Sequence, residues 1–225
     1  MATVLVTRPE PGASQTAARL RNAGHRVIIS PMFSSIAVEW EAPDGPFDAV
    51  MLTSEAAARL AGPGAMPFAH LPTFCVGPVT LAAATAAGFA NVIPGPEGAA
   101  ALAQMIAAQG HRHILHLAAR DRTPIPDGIA KLTVCTVYRT ELCGLSTEAT
   151  AALRAGEIDW ALLFSARSAT EFAAVCPDRE RLSVAAISQA ALSAAGSGWR
   201  KAVAATAASE FAVLAAAGLT CDKQS

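Results

Sequence analysis

Short apolar runs that end in small or polar residues and lead into alanine-rich stretches recur along the whole chain. Runs of this length, followed by a helical period, predict strands buried on both faces and joined by crossover helices, the βα units of a parallel sheet. Ten strands are expected, at residues 4–6, 26–29, 49–52, 73–76, 91–93, 113–117, 132–137, 160–164, 184–187 and 202–205. Helices fill most of the intervals, for example residues 12–23, 54–61, 79–87 and 99–109.

Self-similarity then groups these units. Asp48-Ala-Val-Met-Leu-Thr-Ser54 resembles Asp159-Trp-Ala-Leu-Leu-Phe-Ser165, which follows it by 111 residues. The same spacing carries Val76-Gly77 onto Ile187-Ser188 and Val92 onto Val203, so three successive βα units occur twice without a gap. The other strands pair in a different order, with His113-Ile-Leu-His116 resembling Thr3-Val-Leu-Val6 and residues 132–137 taking the place of 26–29.

The expected fold class is therefore α/β: two similar doubly wound parallel-sheet domains of five strands each, joined by a two-stranded β-ladder. Domain 1 is discontinuous, residues 1–36 and 143–225, and domain 2, residues 37–142 with the linkers, is inserted in it. The crossing segments, around residues 33–40 and 134–142, both alternate as strands do. A double connection of this kind permits hinging, and a ligand is expected in the cleft between the domains.

Composition narrows the function. Hydrophobic residues make up 52% of the chain and charged ones 16%, enough apolar material for two cores. A formal net charge of −1 lacks the basic excess that nucleic-acid binding requires. No apolar run reaches the length of a membrane span and the start lacks a leader pattern, so a cytoplasmic protein with no membrane partner is expected. The five cysteines, Cys75, Cys135, Cys143, Cys176 and Cys221, stand singly without CxxC spacing and are expected to be reduced.

Parallel sheets bind ligands at the carboxyl ends of their strands. There the chain offers Thr7-Arg8, Thr53-Ser54, Gly77 with Thr80, Ser165 with Ser168, and Ser188. Serine or threonine before a helix is first of all an N-cap, so each has a structural reading beside the functional one. Phosphate-loop, dinucleotide, nucleophile-elbow and zinc-protease patterns are absent, and no cofactor or metal is expected. His111 and His113 share a strand face from which His116 points away, which disfavours a metal cluster. Tyr138, the one tyrosine, ends the second linker, where its phenol could donate a proton; Arg8, Arg120, Arg122, Arg139 and Arg167 are cations within reach of strand ends.

These residues resemble a known family. Val4-Leu-Val-Thr-Arg-Pro9, then Val27-Ile-Ile-Ser-Pro31, residues 48–54, Val76-Gly77-Pro-Val-Thr80, Val137-Tyr138-Arg-Thr140 and residues 159–168 are similar, in that order, to uroporphyrinogen-III synthases. The resemblance implies a cofactor-free lyase that acts on hydroxymethylbilane and closes it to uroporphyrinogen III with loss of water and inversion of ring D through a spiro intermediate. It implies Tyr138 as the catalytic residue. It also makes Thr7, Arg8, Thr53, Ser54, Gly77, Thr80, Ser165, Ser168 and Ser188 candidate substrate contacts in a monomer. The stretch Ser188-Gln-Ala-Ala191 departs from the family's pattern of a small turn and a threonine. The rival reading is a non-catalytic bilobal binding protein for an anionic small molecule.

Overall fold

The expected strands form. The computed structural model describes residues 1–220, so Cys221 lies outside the described residues. In chain order the strands are β1 (Thr3–Val6), β2 (Arg26–Ile29), β3 (Phe33–Ala37), β4 (Ala49–Leu52), β5 (Pro72–Val76), β6 (Asn91–Gly95), β7 (His113–Ala119), β8 (Lys131–Leu142), β9 (Trp160–Leu163), β10 (Ser183–Ala186) and β11 (Lys201–Ala204). The helices are α1 (Gly12–Asn22), α2 (Glu55–Leu60), α3 (Gly77–Ala86), α4 (Ala99–Ala108), α5 (Thr147–Ala155), α6 (Ala166–Val175), α7 (Gln189–Ala195) and α8 (Glu210–Ala216).

The chain divides into two compact units: unit 1 combines Met1–Ser34 with the chain from Glu141 onward, and unit 2 is Ser35–Thr140. Unit 1 carries a parallel sheet in the order β11-β10-β9-β1-β2. The second sheet runs β3-β8-β7-β4-β5-β6, with β4 to β8 parallel. If β4, β5 and β6 are matched with β9, β10 and β11, and β7 and β8 with β1 and β2, the two orders coincide. The repeat is thus a permuted copy of one sheet.

The second sheet differs from expectation in having six strands. Residues 132–137 and the linker 134–142 are one strand, β8, because Leu-Thr-Val-Cys-Thr-Val-Tyr-Arg-Thr-Glu-Leu contains no turn residue and is rich in β-branched side chains. β3 adds along the far edge of β8: the Val38 amide donates to the Val137 carbonyl at 3.0 Å and the Cys143 amide to Met32 at 2.9 Å. Numbers that rise on one strand fall on the other, as in an antiparallel pair. The connecting ladder is therefore an extension of this sheet.

Both sheets are buried on two faces. In unit 2, Val50, Leu52, Leu115 and Leu117 pack with Ala56 and Ala57 of α2 and Ala84 of α3, whereas Ala49, Met51, Phe74 and Ile114 pack with Leu102, Ala103 and Ile106 of α4. Alternate residues of one strand supply opposite cores, as the strand period of two requires. Unit 1 repeats the plan, with Leu5, Ala161 and Leu163 against α5, α6 and α7, and Val4, Val6 and Leu162 against α1 and α8. Alanine on the helix faces lets the layers approach closely. A side-chain carbon on Gly95 would collide with Leu102, so α4 sits directly on the backbone there.

The repeated aspartates explain themselves. Asp159 donates its amide to Thr3 O at 2.9 Å and accepts the Thr3 amide on its carboxylate at 2.8 Å. Asp48 likewise donates to His113 O at 3.0 Å and accepts the Arg112 amide at 2.7 Å and the His113 amide at 3.2 Å. Each clasps the start of the strand that pairs with its own, β9 to β1 and β4 to β7. Asp159→Ala leaves the Thr3 amide without its charged acceptor and should lower unfolding free energy by roughly 2 kcal/mol. Urea unfolding should show this loss, with Asp159→Asn recovering part of it.

Candidate active site

In unit 2 the strand order reverses at β4 and β7, since β5 and β6 continue one way and β8 the other. A crevice at the carboxyl end of such a pair is where α/β sheets place ligands. Three segments converge on it. β4 delivers Thr53 and Ser54, β7 delivers His116, and β8 delivers Tyr138.

Ser54 caps α2 by accepting the Ala57 amide at 3.2 Å, and the same oxygen lies 3.0 Å from the Tyr138 hydroxyl. The capping and functional readings of this serine therefore hold together. Tyr138 reaches it through an irregularity: Ala118 pairs with Thr136 but Ala119 pairs with Tyr138, a β-bulge. The extra residue puts Val137 and Tyr138, neighbours in sequence, into the same buried cluster. Tyr138 is 8% exposed, so its ring packs as a core residue while its hydroxyl meets Ser54.

Thr53 Oγ1 lies 3.3 Å from His116 Nε2. His116 is fully buried and its Nδ1 has no hydrogen-bond partner. Burial, and after it the charge of Arg122, pushes the imidazole down from 6.5 to about 4, so it is neutral near pH 7. With Nδ1 bare, the better tautomer carries its proton on Nε2 and donates to Thr53, since a bare acceptor costs less than a bare donor.

These residues line a cavity of about 600 Å³ together with Ala119, Arg122 and the first turn of α4. A larger groove of about 870 Å³ lies beside Trp40 and the end of α2, with Glu39 and Glu41 as its charged residues. The Trp40 indole there donates to Ala61 O at 2.9 Å, and no acid–base pair converges on it. Hydroxyl, imidazole and guanidinium groups converge instead on the smaller cavity.

The other expected contacts lie apart from this cavity. Gly77 and Thr80 form the first turn of α3; Gly77 has φ +71° with open space where a side chain would project, and Thr80 is buried. In unit 1, Thr7 is fully buried and gives its hydroxyl to Leu162 O at 2.7 Å, tying β1 to β9. Arg8 pairs with Glu210 at 3.2 Å and lies over the Phe164 ring. Ser165 and Ser188 cap α6 and α7, accepting the amides of Ser168 and Ala191. Ser168 is buried with its hydroxyl unpartnered. Arg167 stacks on Phe33.

Of the cysteines, Cys75, Cys135, Cys143 and Cys176 are free thiols. Burial raises Cys75 to about 11 and also raises Cys135 and Cys176, which disfavours the nucleophilic thiolate. Among the described residues no group of three or more histidine, cysteine or acidic side chains could hold a metal. No helix among them is long and apolar enough to cross a membrane.

The family model described as Uroporphyrinogen-III synthase HemD matches residues 14–215. The chain belongs to this family. Its members are cofactor-independent lyases of tetrapyrrole synthesis. A crystal structure of uroporphyrinogen-III synthetase from Helicobacter pylori is similar at TM-score 0.66 and 16% identity, covering 96% of this chain and 98% of that one. This likeness shows the two-domain α/β fold. A Thermus thermophilus uroporphyrinogen III synthase mutant superposes at TM-score 0.48 and 15% identity, over 97% of each chain. No curated protein sequence matches the chain.

The neutral His116 couples the site to pH. Its native pKa, about 4, lies below the ordinary 6.5, so the unfolded chain binds the extra proton between these values. Stability from this residue is complete above 6.5 and falls as pH drops to about 4, by roughly 3 kcal/mol in all. His116→Gln should remove that part of the acid sensitivity. Urea midpoints measured from pH 7 to pH 4 should fall more steeply for the native chain than for the variant.

Proposed function

We propose that this chain closes hydroxymethylbilane to uroporphyrinogen III. The observation that carries the reading, beside family membership, is the Tyr138 hydroxyl held 3.0 Å from Ser54 Oγ at the wall of the switch-point cavity. In the proposed chemistry the carbon–oxygen bond of the ring A hydroxymethyl group breaks. Pyrrole electrons expel the oxygen, Tyr138 supplies a proton so that it leaves as water, and the pyrrole N–H loses its proton to give a neutral azafulvene. Ring D attacks through its substituted carbon, and the spiro intermediate fragments and recloses with ring D inverted.

Uncatalysed closure gives the other isomer, so the enzyme's work is to hold a flexible chain for the less accessible attack. In this reading Thr53 and Ser54 contact substrate beside Tyr138, with His116 keeping Thr53 in place. Gly77 and Thr80 at the start of α3, and Ser165, Ser168 and Ser188 at the strand ends of unit 1, are further contacts in this reading, as is Arg8 through guanidinium N–H groups that its pair with Glu210 through Nη1 does not take up. Thr7, buried under β9, acts by holding β1 for Arg8. The reading takes the protein as a cytoplasmic monomer. The four described cysteines are free thiols, as a reducing compartment would keep them, and among the exposed large apolar side chains Val79, Val175 and Phe211 lie on three different helices.

Supplying hydroxymethylbilane and separating the isomers tests this directly: uroporphyrinogen III is expected, and isomer I at the spontaneous rate would overturn it. Tyr138→Phe removes one polar atom and should lower turnover about 100-fold or more if the phenol assists departure of the hydroxyl, against several-fold for loss of one neutral hydrogen bond. Residual product should still be isomer III, because placement of ring D depends on the whole site. Turnover equal to that of the native chain would leave Tyr138 a packing residue.

A further inference from the structure

The repeat shows how the two units differ around the unit 2 cavity. The spacing of 111 residues carries Gly98, the N-cap of α4, onto Ser209, the N-cap of α8, and Ala99 onto Glu210. The clasps match Thr3 with His113, which brings Arg8 onto Ala118. In unit 1 these positions hold an ion pair. Arg8 Nη1 meets Glu210 at 3.2 Å and Thr16 at 3.4 Å, and its guanidinium lies 4.5 Å from the Phe164 ring centroid. The other side of the guanidinium rests against Gly12, where an added side-chain carbon would lie 2.5 Å from Nε. In unit 2 both positions hold alanine; Ala118 is fully buried, and Ala99 lines the cavity of about 600 Å³.

A cation enters that cavity from a different position. Arg122 Nη1 donates to Ala119 O at 2.9 Å, Arg120 O at 3.3 Å and Thr136 Oγ1 at 3.4 Å. These acceptors fix the guanidinium without neutralising it, and among the described residues no carboxylate forms an ion pair with Arg122. Glu97 and Asp121 also line the cavity, so its formal charge is not positive. Attraction for an anion must therefore come from short charge-assisted bonds to the guanidinium and not from a general field. His116, which lines the same cavity, is buried and has an unpartnered Nδ1.

We infer that Arg122 is a specificity-determining residue that binds one carboxylate arm of the substrate in the unit 2 cavity, the role that Glu210 fills internally for Arg8. This rests on the reading of the substrate as a polycarboxylate bilane. Ala99 is the companion determinant: its small side chain leaves open the place where unit 1 carries its own carboxylate.

Fluorescence titration with uroporphyrin III, a macrocycle bearing the same acetate and propionate arms, tests the assignment. Arg122→Gln should weaken binding about 10- to 100-fold, the range for a hydrogen bond to a charged group, and Arg122→Lys should recover part of it. Ala99→Glu approaches from the other wall, and should weaken binding comparably without lowering the melting temperature, which keeps the test open if the Arg122 variants fold poorly. In turnover of hydroxymethylbilane the Arg122 loss should appear in KM far more than in kcat, because the arm is held in ground and transition states alike. An unchanged dissociation constant and KM in Arg122→Gln would overturn the assignment while normal isomer III production left the functional reading intact. Arg122-dependent binding by a native chain that makes no isomer III would instead sustain the carboxylate site and defeat that reading.

Discussion

Each sheet depends on one pairing between strands that are far apart in the chain. β9 joins β1 across more than 150 residues, and β4 joins β7 across more than 60, as the register Val4 to Trp160 and Ala49 to Ile114 shows. Such contacts must be made against the entropy of closing a long loop, and a parallel pair has no hairpin to set its register. The clasps of Asp159 and Asp48 meet both needs, because a carboxylate that accepts the first amide of the partner strand fits one register and no other. A slip of one residue would turn every side chain to the opposite face. Since β4 and β7 are also where the strand order reverses, the contact that fixes the sheet fixes the crevice at its carboxyl end.

From that crevice the chemistry follows by small steps. Thr53 and Ser54 are adjacent, so in extended backbone they face opposite ways, and each finds a partner on its own side, His116 of β7 and Tyr138 of β8. Without the bulge at Ala118 and Ala119, Val137 and Tyr138 would alternate, and the phenol could not share the cluster in which Val137 is buried. The bulge costs a ladder bond and re-aims one side chain. Burial then keeps His116 neutral, so the site sets a neutral imidazole beside a phenol and one unneutralised guanidinium.

The strands, their parallel pairing and the permuted repeat were legible because a period of two and a constant spacing are properties of the sequence itself. The capping serines were legible too, and Ser54, Ser165 and Ser188 each cap the helix that follows. Other features depend on distances that no pattern encodes. A bulge between two alanines leaves no compositional trace. The continuity of β8 was hidden because its two halves pair with different neighbours, and each half reads as a separate segment. His116 was correctly placed inside a strand, but its bond to Thr53 joins residues from separate strands. Thr7 and Arg8 read as ligand contacts from their place at a strand end, and each also has a partner inside unit 1 that the sequence did not show, Leu162 for the Thr7 hydroxyl and Glu210 for Arg8. A polar residue at a strand end can serve the neighbouring strand as well as a ligand.

The two copies of the sheet differ at the positions that line the candidate site. Counting from the first paired residues of β2 and β8, Arg26 and Lys131, the residues seven further on are Phe33 and Tyr138. Ser165 caps its helix as Ser54 does, but the aromatic residue in the corresponding place in unit 1 has no hydroxyl, and Arg167 stacks on its ring at 4.4 Å. Unit 1 thus keeps the architecture without a phenol at this place. Its Arg8 is held by Glu210, which also binds Arg19 at 2.6 Å, so that cation ties α8 to α1 within the unit. Unit 2 has the phenol and, where unit 1 has the Arg8–Glu210 pair, alanines, of which Ala99 lines the cavity. One scaffold, used twice, thus carries different polar groups at matching positions of its two copies. A duplicated sheet that kept both copies alike would hold two equivalent sites, whereas a single ring closure requires only one reacting centre.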